Sequence, residues 1–98
     1  SKEHAMALLF EKSGIGLLHL PSGEKIHVST TLFLEKIDDS TTGHGSIQTD
    51  SAFENEAFAG PDPPMLQIDG ISLRIVPRRK DGFGRIEFAS AGPVFGID

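Results

Sequence analysis

Residues 65–90, MLQIDGISLRIVPRRKDGFGRIEFAS, alternate apolar and polar side chains in three runs separated by two Asp-Gly dipeptides. Leu66 and Ile68 precede Asp69-Gly70. Ile71, Leu73 and Ile75 follow it, and Ile86 and Phe88 come after Asp81-Gly82. A period of two places each set on one face of a strand, and Asp-Gly is a strong signal for a tight hairpin. A chain committed to consecutive hairpins must dispose of its outer sheet edges, which closure into a barrel does most completely. With 98 residues there is room for one core only.

Upstream, residues 25–37 read as a long strand, with Ile26, Val28, Leu32 and Leu34 on one face and His27, Ser29, Thr31 and Glu35 on the other. Phe33 and Ile37 break that pattern on the outer face. Residues 15–20 form a short strand that turns at Pro21-Ser22-Gly23-Glu24. Residues 1–13 carry the pattern of a short helix: Ser1 as cap, Glu3 in the first turn and an apolar stripe of Ala5, Leu8 and Leu9 widened by Met6 and Phe10. Lys12 suits the last turn, and Gly14 and Gly16 stop the helix. Residues 38–45, DDSTTGHG, read as a polar mobile loop. Residues 46–58 fit a strand through Ile47, Thr49 and Phe53, or a helical turn at ENEAF. The connector AGPDPP excludes regular structure, and residues 91–98 read as a tail tied down by Val94 and Phe95. The expected fold is mainly β: a small antiparallel barrel or sandwich of about five to six strands over residues 15–90, with a short N-terminal helix.

Charge is segregated along the chain. Between Ile37 and Leu73 lie Asp38, Asp39, Asp50, Glu54, Glu56, Asp62 and Asp69 with no Lys or Arg. From Arg74 to Arg85 lie Arg74, Arg78, Arg79, Lys80 and Arg85 against the single acid Asp81. Either two solvated loops of opposite sign pair within the fold, or unlike patches serve head-to-tail or layered assembly. The net charge of −5 disfavours a sequence-specific nucleic-acid binder, which is normally basic. Absence of cysteine removes a disulfide framework and a thiolate zinc site. No apolar run reaches the roughly 18–20 residues that cross a bilayer, and no signal-peptide pattern is present, so the expectation is a cytoplasmic protein.

No catalytic constellation emerges, and the chain is expected not to be an enzyme. There is no G-x-S-x-G elbow, and Gly82-Phe83-Gly84 follows a hairpin pattern with no helix behind it to bind phosphate. The four histidines, His4, His19, His27 and His44, lie at no compact ligand spacing, and no cofactor or metal is expected. His44, beside Asp38 and Asp39, is the best placed of them, but a hydrated acidic loop explains it as well. Phe83, flanked by Arg79, Lys80 and Arg85, has the composition of an interface anchor, unless its ring folds back on its own barrel. The candidate partner-binding residues are Arg74, Arg78, Arg79, Lys80, Phe83, Arg85, Asp38, Asp39 and His44.

The order of elements resembles the small head–tail joining (stopper or connector-completion) proteins of lambda-like phages and prophages. The residues that carry the resemblance are Leu66, Ile68, Gly70, Leu73 and Val76, then RRKDGFG, then the strand from Arg85 to Ala89. The resemblance implies a non-enzymatic structural protein that joins head or portal to tail within a ring of copies. It would be made in the cytoplasm and carried in the virion, with portal, head-completion and tail proteins as partners. The competing expectation is a cytoplasmic β-barrel interaction module that holds an acidic peptide or a phosphate group through the 78–85 turn.

Overall fold

The computed structural model describes residues 7–96. Six strands, β1 (Ala7–His19), β2 (Lys25–Ile37), β3 (Ser40–Gln48), β4 (Met65–Ile68), β5 (Ile71–Lys80) and β6 (Arg85–Phe95), form a closed barrel in the order β1-β2-β3-β6-β5-β4. Every pairing is antiparallel. One short helix, α1 (Phe53–Glu56), lies between β3 and β4. The mainly β barrel expected from the alternating runs is the observed fold.

Its interior is the set of residues that the period of two selects. Leu18, Val28, Leu32, Leu34, Ile47, Leu66, Leu73, Ile75, Ile86 and Phe88 are all buried, and the half-buried Phe10, Ile26, Phe53, Phe58 and Val94 pack around them. Thr30 is the one polar member of the inward row of β2, and its hydroxyl donates to the Val28 carbonyl at 3.1 Å. Asp69 and Gly70 both take positive φ between the paired Ile68 and Ile71, as a two-residue hairpin requires.

Four local expectations are corrected. From Ala7 onward the expected helix is strand, because β1 pairs with β2 from Ala7↔Lys36 to His19↔Lys25; residues 1–6 of that expectation lie outside the described residues. Gly14 and Gly16 stop no helix. Both lie inside β1, where a Cβ on Gly16 would come within 2.7 Å of the Thr30 hydroxyl. The expected loop at 38–45 is a two-residue turn, Asp38-Asp39, followed by the nine-residue β3. Its glycines allow close approach, since a Cβ on Gly45 would overlap the Thr31 carbonyl oxygen of β2. Residues 91–95 are no tail but the end of β6, with Val94 opposite Leu73 and Phe95 opposite Ser72.

The register gives the barrel two unlike ends. β1 meets β4 only at residues 17–19, and β3 meets β6 only at residues 44–48. The distal parts of β1, β2 and β3 therefore run on as a three-stranded ribbon, consistent with the 46 × 26 × 25 Å extents. At its tip is the Asp38-Asp39 turn. The other end carries the 20–24 turn, α1 and the 81–84 turn, where Gln48 of β3 lies beside Arg85. Nine residues of β3 at about 3.3 Å each separate the two turns by about 30 Å. Lys12 and Asp69 pair at 2.7 Å, but both are well exposed, so Lys12→Ala should change stability by no more than about 0.5–1 kcal/mol in denaturant titration.

Candidate docking turn

β5 runs three residues past Pro77 to Lys80, further than a turn starting at Arg78 would allow. A register shift between Pro77 and Arg79 absorbs the proline, which lacks an N–H for the ladder, and leaves Arg78 as the extra residue of a bulge. Arg79 then stands opposite Glu87 and Lys80 opposite Ile86. The chain reverses over residues 81–84, where the Asp81 N–H donates to the Arg85 carbonyl at 3.2 Å.

Two carboxylates hold this turn. Asp81 Oδ1 accepts the amides of Phe83 at 2.7 Å and Arg85 at 3.1 Å. Glu54, on α1 and only 7% exposed, accepts the amide of Gly82 at 3.0 and 3.2 Å on its two oxygens and the amide of Gly84 at 2.9 Å. The carbonyls are engaged too: Gly84 accepts from the Thr49 amide at 2.9 Å and Phe83 from Gln48 Nε2 at 3.1 Å. Lys80 Nζ donates to Asn55 Oδ1 at 2.9 Å, a second tie to α1. Removing the Glu54 carboxylate leaves two backbone donors without their acceptor. Glu54→Ala should therefore cost about 2–4 kcal/mol, read as a lower denaturation midpoint.

What the turn presents is apolar and basic. Phe83 is 81% exposed and does not fold back into the core; it stands at the rim of an open groove lined by Ile26, His27, Gln48, Asp50 and Phe53. The side chains of Arg78, Arg79 and Arg85 are exposed and make no hydrogen bond or ion pair among the described residues. Glu87 stands beside Arg79 and lines one groove with Arg85, so Arg78 is the least compensated of the three cations.

The nine residues singled out in the sequence fall in four places. Arg78, Arg79, Lys80, Phe83 and Arg85 share the turn and its flanks. Arg74 is separate: it lies between Met65 and Ala91 in the register, and its Nη1 donates to the Pro63 carbonyl at 2.6 Å. Asp38 and Asp39 are at the ribbon tip, and His44 lies on the outer face of β3, stacked on Phe33 with centroids 5.3 Å apart and Nε2 3.4 Å from Glu35 Oε1. The acidic 38–39 turn does not meet the basic turn. The acid of the upstream stretch that binds it is Glu54, which takes backbone amides, not guanidinium groups. No spacing in the sequence marks Glu54, because its partners lie 28 and 30 residues away.

Among the described residues no three His, Cys, Asp or Glu side chains converge as a metal site, and no helix is long and apolar enough to cross a membrane. Comparison with protein-family models, curated proteins and solved structures finds no match to the chain.

Proposed function

We propose that this chain is a non-enzymatic structural protein that joins two protein layers, and that its setting is the head–tail connector of a tailed phage or prophage. The observation that carries the reading is the 81–84 turn: a fully presented Phe83 with Arg78, Arg79 and Arg85 beside it, on a loop whose backbone is held on both sides. A rigid aromatic anchor flanked by arginines suits a buried protein–protein contact, because little conformational entropy is lost when it docks. The acidic Asp38-Asp39 turn about 30 Å away supplies an unlike second end, which suits layered assembly. A portal or head-completion layer and the tail are the partners this reading requires, with copies of the chain arranged as a ring.

The alternative of a stand-alone module survives in one form. Arg78, Arg79 and Arg85 are free to take an acidic peptide, whereas a phosphate cradle made from the turn's amides is disfavoured because those amides are already bonded.

The test is an Arg78/Arg79/Lys80→Ala variant introduced into the strain that encodes the chain. All three side chains are exposed, so folding should be retained while electron microscopy shows separated heads and tails. Normally joined particles from the variant would defeat the proposal.

A further inference from the structure

The amides of Gly82, Phe83, Gly84 and Arg85 are four consecutive N–H groups, and all of them point at carboxylate oxygen. Phe83 and Arg85 take the neighbouring Asp81, a local contact that many turns make. Gly82 and Gly84 converge on Glu54, which comes from another element and is buried. Successive backbone N–H groups that form such a concavity make an anion site.

We propose that this turn is an anion-binding nest whose ligand is the chain's own Glu54, and that Glu54 is thereby the positioning residue for Phe83. The contact is a charge-assisted one, stronger than a neutral hydrogen bond, and it acts on the residues either side of Phe83. It fixes the backbone from which the ring projects without touching the ring. The nest accounts for two features together: an exposed aromatic on a turn containing two glycines, and a buried glutamate on a helix of four residues. A partner therefore reads the turn through the Phe83 ring and the arginine side chains. Its matching surface is an apolar recess rimmed by carboxylates, as a protein partner can supply.

The nest itself does not depend on the proposed joining role; the presentation of Phe83 to a partner does. The experiment uses the full chain labelled with ¹⁵N, as wild type, Glu54→Ala and Glu54→Gln, with acetate as the probe anion against chloride at equal ionic strength. In Glu54→Ala the Gly82 and Gly84 amide protons should lose their downfield displacement, and the heteronuclear NOE of Phe83 should fall. Acetate should restore both saturably, and it should move neither amide in the wild type. Glu54→Gln keeps the side-chain length and serves where the alanine variant does not fold; there both amides should shift upfield. Unchanged amides in the glutamine variant, or an acetate response equal in wild type and alanine variant, would overturn the nest. Acetate recovery together with full head–tail joining by a Phe83→Ala variant would leave the nest standing and remove the docking role.

Discussion

Gly45→Ala should strongly destabilise the protein. Gly45 sits in β3 opposite Leu32, and an added Cβ would overlap the Thr31 carbonyl oxygen, with the Thr31 carbonyl carbon at 3.0 Å and Leu32 Cα at 3.2 Å. All three are backbone atoms of a strand paired along its whole length, so no side chain can swing aside. Relief requires β2 and β3 to separate where β3 begins to pair with β6, at His44↔Ala89. A cost of about 4 kcal/mol or more is expected, against a total of roughly 5–15 kcal/mol for a domain of this kind. Gly14→Ala is the control: nothing lies within 4 Å of its Cβ, and it should be neutral or stabilising by up to about 1 kcal/mol, because glycine weakens a strand interior. Urea titration of the two variants reads the difference; equal midpoints would show that β2 and β3 yield at no cost.

Phe88→Ala should destabilise by about 3–5 kcal/mol, and Phe83→Ala, five residues earlier, by less than about 0.5 kcal/mol. Phe88 is 2% exposed, opposite Gly45 on one side and Pro77 on the other, and is among the largest side chains in the core. Truncation removes its apolar area from the barrel and leaves a cavity that a closed ladder cannot collapse to fill. Phe83 has almost no contact to lose within its own chain. Under the proposed joining role, its truncation should instead abolish docking in a head–tail joining assay while the melting temperature stays within a degree or two of the wild type. A thermal loss from Phe83→Ala comparable to that of Phe88→Ala would mean that the ring packs on the barrel in solution, and the turn would no longer be a docking surface.

The two aromatics mark how far the sequence reaches. Alternation places Phe88 inside, because a period of two in a strand leaves no other face for Ile86 and Phe88 together. No comparable rule applies to Phe83. A turn residue goes where its loop directs it, and that loop is held by Asp81 and Gln48 at Phe83 itself and by Glu54, nearly thirty residues upstream, on either side of it. The N-terminal segment shows the same limit from the other side. The apolar stripe from Ala5 to Phe10 satisfies a helix, but pairing with β2 from Ala7↔Lys36 onward satisfies the backbone in a different way. A non-local ladder outweighed local propensity. At 38–45, Gly and Thr suggested an open loop, whereas in β3 Gly45 leaves room for the backbone of the neighbouring strand.

By itself the sequence determined the class of the fold, the inward rows of β2, β4, β5 and β6 and the two Asp-Gly reversals, because these follow from side-chain periodicity and turn chemistry within a few residues. The tertiary structure alone decided that the chain closes β1 onto β4, that the acidic and basic turns lie at opposite ends and do not neutralise one another, and that a buried glutamate holds the turn bearing Phe83. Each of these depends on how residues far apart in the chain are placed, which is fixed only when the barrel closes.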